Sequence, residues 1–97
     1  MRKTFKTTHP KIKVPRLFEA IKHEVKKYIQ RERRKPLPAG VDFWDFDCRY
    51  GVDAANSEVI HLSAINKSIS EAEAQQLDSF YLEILVKPGY RSKKPVG

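Results

Sequence analysis

Residues 41–50, VDFWDFDCRY, decide the fold, because apolar or aromatic side chains alternate with charged ones along the stretch. Successive side chains of a strand point to opposite sides of its sheet. One side of this stretch carries Trp44, Phe46, Cys48 and Tyr50, and the other carries Asp45, Asp47 and Arg49. The alternation predicts a strand that buries one side and exposes the other.

A long amphipathic helix is predicted before this strand, over residues 16–34. Its apolar residues recur at steps of three and four, which is the spacing of one helix face. They are Leu17, Phe18, Ile21, Val25, Tyr28 and Ile29. The prolines and the glycine of KPLPAG, residues 35–40, end the helix and turn the chain.

The remaining elements follow from shorter patterns. Residues 3–8 and 80–86 have the composition of strands, and residues 58–65 predict a strand that forms a hairpin with the first stretch. A second helix is expected to start at Ser68 or Ser70, because each serine has a glutamate three residues later, as in a capping box.

The order β-α-β-β-α-β, with one face of the sheet exposed to solvent, predicts an α+β fold. We expect a two-layer sandwich with two helices on one face of a roughly four-stranded sheet. A ferredoxin-like sheet and a variant strand order both fit this element order. Residues 1–88 are expected to form a single domain, followed by a flexible basic tail over residues 89–97.

Composition limits the class of protein. A chain of 97 residues has room for one small core. Its only cysteine, Cys48, has no partner for a disulfide within the chain, which favours a reducing compartment. No stretch has the roughly 18 apolar residues of a membrane span, and no apolar run follows the basic start. We therefore expect a soluble, cytoplasmic protein.

Charge is distributed unevenly along the chain, whose formal net charge is +7. Residues 1–35 contain 13 basic and 3 acidic side chains, residues 36–83 contain 2 and 9, and residues 84–97 contain 4 and 0. From Lys26 to Lys35 there are six basic residues and one acid. A solvated helix face usually mixes the two signs, so this bias favours a polyanion partner.

We therefore predict a non-enzymatic binding domain that engages RNA or the ribosome first and DNA second. The candidate residues are basic groups of the long helix, its flanks and the tail. They are Lys11, Lys13, Lys22, Lys26, Lys27, Arg31, Arg33, Arg34, Lys35, Arg91, Lys93 and Lys94. The alternative is a protein-interaction or self-association module that uses separate basic and acidic surfaces. The oligomeric state is left open.

Two candidate chemical sites have simpler interpretations. Asp45 and Asp47 share a strand face, and with His61 they could hold a divalent cation or form an acid/base pair, which makes a metal-dependent enzyme the third alternative. The same pattern also suits a solvated strand. Cys48 lies on the same side of the strand as Trp44 and Phe46, so a small buried core residue is favoured over a nucleophile. Trp44 is likewise expected in the core, and the open sheet face is expected to be acidic and therefore to repel phosphate. No cofactor or catalytic motif is indicated.

Five strings carry a resemblance to a known family: HPKIK, KHEVKKYIQRERR, LPAGVDFWDFDC, EAEAQQLDSFYLEIL and KPGYRSKKP. They cover nearly the whole chain, which resembles a small family of uncharacterised bacterial proteins classed as a domain of unknown function. The resemblance implies a bacterial, single-domain, cytoplasmic protein. It implies no activity and no site residues.

Overall fold

A four-stranded antiparallel sheet carries two helices on one face. The computed structural model describes residues 1–91. The elements are β1 (Arg2–Lys6), α1 (Val14–Arg33), β2 (Phe43–Gly51), β3 (Ser57–Ile60), α2 (Ile65–Ala74) and β4 (Ser79–Gly89). The predicted α+β class and element order are thereby confirmed. No helix within the described residues is both long and apolar enough to cross a membrane.

The strand order is β1-β4-β2-β3, so β4 lies between β1 and β2. All three neighbouring pairs are antiparallel. A ferredoxin-like sheet is built from split βαβ units, which contain parallel strands. The variant strand order is therefore the one that this chain adopts.

Phe80 of β4 is the centre of the core. Its ring lies 5.4 Å from the ring centroid of Phe5, 6.1 Å from Phe18 and 5.8 Å from Tyr50. These neighbours come from β1, α1 and β2, so one fully buried side chain joins both layers. Aromatic pairs at such distances add to the stability gained from burial alone.

The alternation in β2 orients the strand as expected. Phe46 and Cys48 are buried against the helices, and Tyr50 is partly buried beside them. Trp44 corrects the prediction in part, because its indole is only half-buried at the edge of the core. Its Nε1–H donates to the carbonyl oxygen of Lys35 at 2.8 Å, just after the end of α1. The chain that follows the end of α1 therefore lies beside Trp44, and the helix does not cover that part of the strand.

The connection between β3 and α2 differs from the prediction. β3 ends at Ile60, because His61 caps a short 3₁₀ turn in which its Nδ1 accepts the N–H of Ser63 at 3.1 Å. This turn continues directly into α2, which starts at Ile65. Neither predicted capping box starts the helix, since the serines at 68 and 70 lie inside it.

β4 is longer than predicted, whereas β2 starts two residues later than predicted, at Phe43. β4 continues to Gly89, where the ring of Phe43 lies so close to the glycine that a Cβ there would clash with it. The N–H of Asp42 then donates to the carbonyl oxygen of Gly89 at 3.0 Å. Most of the predicted flexible tail, residues 92–97, lies outside the residues that the structure describes.

Candidate polyanion-binding surface

The outer side of α1 carries a group of exposed cations that we call the α1 basic face. It consists of Lys26, Lys27, Arg31 and Arg34. The helix buries Phe18, Ile21 and Val25 against the sheet. Because residues advance by 100° around a helix, the four cations lie opposite or beside that stripe and face solvent.

None of these four cations forms a salt bridge with another residue in the range 1–91. Lys27, Arg31 and Arg34 surround Gln30 at a shallow depression on the helix surface. Two acidic side chains of the helix are paired with cations outside this face: Glu24 Oε2 lies 2.9 Å from Lys3 Nζ, and Glu32 Oε2 lies 2.7 Å from Lys35 Nζ. The α1 basic face is therefore a local surplus of positive charge.

Part of this surplus has a structural explanation. Cations in the last turn of a helix interact favourably with its dipole, and Arg31 lies in the last turn of α1. Lys27 lies one turn earlier and four residues before Arg31. Like charges at this spacing destabilise a helix by about 0.2–0.5 kcal/mol. The arrangement costs folding stability that a bound anion would restore.

Three other predicted residues have local partners. The Nζ of Lys22 donates to Ser70 Oγ at 2.7 Å and so links α1 to α2. The guanidinium of Arg33 lies over the ring of Phe46, at 5.7 Å from its centroid. Lys35 Nζ lies 2.7 Å from the carboxylate of Glu32. These cations border the α1 basic face, but they also hold the fold together.

The remaining predicted residues do not form one site with the α1 basic face. Lys11 and Lys13 precede the N-terminus of α1, and a 20-residue helix is about 30 Å long. Lys13 occupies the N-cap position without a capping side-chain hydrogen bond. Arg91 lies beyond β4, where its backbone N–H donates to Asp42 Oδ2 at 2.8 Å. Lys93 and Lys94 lie outside the described residues.

The open sheet face carries both signs of charge, which corrects the expectation of an acidic surface. Lys87 Nζ lies 2.6 Å from Asp47 Oδ1 and 3.9 Å from Asp45 Oδ2. Arg2 Nε lies 3.0 Å from Glu83 Oε1. The acidic groups of this face are thus largely neutralised by basic neighbours from adjacent strands.

Phe43, 40% exposed, lies on the open face at the start of β2, where its ring packs against Gly89. Tyr81, in the middle of that face, is only 8% exposed. Its hydroxyl donates to Glu83 Oε1 at 2.8 Å, and this hydrogen bond together with burial raises the pKa of Tyr81. RNA-binding sheets stack bases on exposed aromatics. Tyr81 does not provide such a platform.

His61 lines the same shallow depression as Asp45 and Asp47, so the register does bring the three together. However, Nδ1 of His61 is engaged with the N–H and the hydroxyl of Ser63, and Lys87 bridges the two aspartates. Within residues 1–91 no group of three or more His, Cys, Asp or Glu side chains is arranged to hold a metal ion.

Cys48 is 1% exposed in the centre of the core. Burial, with a smaller contribution from Asp47 and Asp45, raises the pKa of its thiol to about 11. A thiol must be deprotonated to act as a nucleophile. The position and the raised pKa agree with the predicted role as a core filler.

Sequence reasoning missed an aromatic region at the far end of β2 and β4. Tyr90 is 63% exposed, Phe43 is 40% exposed and Trp44 is half-buried. The strand pairing puts Phe43 on the open face and Trp44 on the face that carries the helices. The basic residues Lys35 and Arg91 flank this region along the chain. The string PGYR, residues 88–91, has an aromatic residue within a basic stretch and is the sequence signal that could have indicated it.

Comparison with curated proteins and with solved structures gives no match. The comparison with family models gives one over residues 1–95 of the 97, nearly the full length. The chain therefore belongs to the family of unknown function DUF6172.

Proposed function

We propose that this protein binds RNA without sequence preference through the α1 basic face. The observation that supports the proposal is the cluster of four exposed cations that no acid in the described chain neutralises. Lysine and arginine side chains bind phosphates by releasing condensed counterions, which gives affinity without base recognition.

The spacing on the helix suits a chain of phosphates. Lys27 and Arg31 are four residues apart, which is about 6 Å along the helix axis. Arg34 extends the row by another turn, and Lys26 widens it toward α2. A bacterial, cytoplasmic location, which belongs to this proposal, would supply RNA and ribosomes as the most abundant polyanions.

A protein partner is the competing proposal. Self-association between basic and acidic surfaces requires acidic groups that are free to pair with a second copy. On the open sheet face, Asp45, Asp47 and Glu83 already contact basic side chains of their own chain. The surplus charge of the domain is therefore basic, and an external polyanion complements it better.

The test is binding of a mixed-sequence single-stranded RNA at ~50 mM salt, where phosphate contacts are strong. The variant Lys27→Gln/Arg31→Gln/Arg34→Gln removes three cations from the α1 basic face. The control Lys6→Gln/Lys11→Gln/Lys67→Gln removes the same charge from β1, from the connection before α1 and from α2. We expect the first variant to bind at least about ten-fold more weakly than the control and to lose about 2 units of the slope of log affinity against log salt.

Two results would overturn the proposal. If the native protein shows no binding to RNA at this salt concentration, the RNA proposal fails and a protein partner replaces it. Equal weakening of binding by both triple variants would show that net charge alone attracts RNA and that α1 is not its site.

A further inference from the structure

The ends of β2 and β4 extend past α1 and leave an apolar surface beside its C-terminus. We call Trp44, Val86 and Tyr90 the aromatic shelf. Val86 is 36% exposed, Tyr90 is 63% exposed and Trp44 is half-buried. Large apolar groups exposed together on a small soluble domain mark an interaction site more often than scattered single ones do.

The register places the shelf on the side of the sheet that carries the helices. Val86 pairs with Phe46, which is buried under the helices, and Trp44 pairs with Pro88. The alternation of β4, continued by one residue, gives Tyr90 the same side as Val86. The contacts of Asp42 with Gly89 and with Arg91 hold the backbone on either side of Tyr90.

Basic residues are neighbours of this apolar surface. Arg33 covers the ring of Phe46, the cross-strand neighbour of Val86. Trp44 Nε1–H donates to the backbone of Lys35, so the end of α1 and its cluster of basic residues adjoin the indole. An aromatic surface edged by arginine and lysine complements a ligand that is both planar and anionic.

We propose that the aromatic shelf stacks one or two unpaired bases of single-stranded RNA whose phosphates follow Arg33 and the neighbouring α1 basic face. This inference rests on the proposed function and specifies its ligand, because a duplex keeps its bases stacked inside and has none to offer. Proteins that bind single strands combine a basic track with aromatic platforms in this way.

Trp44 is the only tryptophan, so its fluorescence reports directly on the shelf. The first experiment titrates the native protein with a mixed-sequence single-stranded RNA, with the duplex of the same sequence and with inorganic polyphosphate. We expect the single strand to bind more tightly than the duplex and to quench Trp44. Polyphosphate is expected to bind the α1 basic face without quenching.

The second experiment compares Tyr90→Ala with Tyr90→Phe and with Val59→Ala. Tyr90→Ala is expected to weaken single-strand binding by about five-fold or more, because it removes one stacking surface. Tyr90→Phe keeps the ring and is expected to bind as the native protein does. Val59 is 75% exposed on β3, away from the shelf, so Val59→Ala controls for the loss of exposed apolar surface.

The outcomes separate this inference from the proposed function. If RNA binds but single strand and duplex bind equally, Trp44 is not quenched and Tyr90→Ala has no effect, the shelf is not a base platform although the α1 basic face still binds phosphate. If no nucleic acid binds, both proposals fail. An effect of Tyr90→Ala that Val59→Ala reproduces would also overturn the role of the shelf.

Discussion

Lys87 of β4 contacts Asp47 of β2 across the ladder, with 2.6 Å between Nζ and Oδ1. This contact, together with the weaker approach to Asp45, raises the pKa of Lys87 and keeps its ammonium charged. The two aspartates of β2 therefore do not indicate a metal site, because a lysine 40 residues after Asp47 neutralises them.

The first prediction concerns this pair and metal ions. Mg²⁺ or Mn²⁺ at millimolar concentration should leave the melting temperature of the native protein unchanged, because Lys87 already occupies the position between the aspartates. Lys87→Ala should lower the free energy of unfolding by at most about 1 kcal/mol, as is usual for exposed ion pairs, and by less in high salt. A melting temperature of the native protein that rises with either cation would contradict this account.

The second prediction concerns pH and Glu83. The hydroxyl of Tyr81 donates to this carboxylate, and Arg2 lies beside it, so the pKa of Glu83 is lowered in the folded protein. The folded state then binds fewer protons than the unfolded state. The Glu83 carboxylate therefore stabilises the fold at neutral pH, and this contribution is lost as the pH falls through and below about 4.3, the ordinary pKa of glutamate.

Thermal unfolding between pH 7 and pH 3 tests this dependence. The native protein should lose stability over the acidic range more steeply than Glu83→Gln does. Glu58→Gln, an exposed position on β3, is the matched control and should follow the native curve. Equal slopes for the native protein and Glu83→Gln would show that the cluster contributes nothing to acid sensitivity.

The third prediction concerns the end of α2. The N–H of Leu77 donates to the carbonyl of Ala72, and the N–H of Gln76 to that of Glu73, which is the Schellman pattern. Gln76 occupies its left-handed position with φ of 54°. Glycine adopts this conformation without strain, so Gln76→Gly should raise the free energy of unfolding by about 0.5–1 kcal/mol.

Denaturant unfolding of two neighbouring variants checks this. Gln75 is right-handed, with φ of −81°, so Gln75→Gly gains no relief and should destabilise by about 0.5–1 kcal/mol. Opposite signs for adjacent glycines are the expected result. A loss of stability in both variants would show that the left-handed residue carries no strain.

The fourth prediction separates binding from folding on α1. Lys27→Glu replaces a repulsive pair with Arg31 by an attractive one, in the favourable order along the helix. The free energy of unfolding at low salt should rise by about 0.4–1 kcal/mol, whereas RNA affinity should fall. Urea unfolding and RNA binding are measured on the same sample. If Lys27→Glu loses both stability and affinity, the weaker binding would follow from damage to the fold and not from the lost cation. That result would contradict the prediction.

Local patterns predicted the parts of the fold that depend on neighbours in the sequence. The alternation along β2 predicted that Phe46 and Cys48 are buried. The spacing of Phe18, Ile21 and Val25 predicted the buried side of α1. The basic outer side of α1 follows from the same spacing. These features depend only on the periods of a strand and a helix.

Tertiary contacts decided what the patterns could not. The position of β4 between β1 and β2 depends on which strands pair, and the partial exposure of Trp44 depends on where α1 stops above the sheet. The early start of α2 depends on a hydrogen bond between His61 and Ser63 that competes with continued pairing of β3. The Lys87 contact joins residues far apart in sequence, so the charge of the open face could not be read from β2 alone.

A titration of the ¹⁵N-labelled protein with single-stranded RNA at ~50 mM salt, followed by amide chemical shifts, tests the central claim most directly. The account predicts that the largest shifts fall on residues 26–35 of the helix and its C-terminal flank. Shifts at Trp44 and Tyr90 should accompany them, and all should diminish as salt is added. Shifts that are confined to the open sheet face, or no shifts at all, would contradict it.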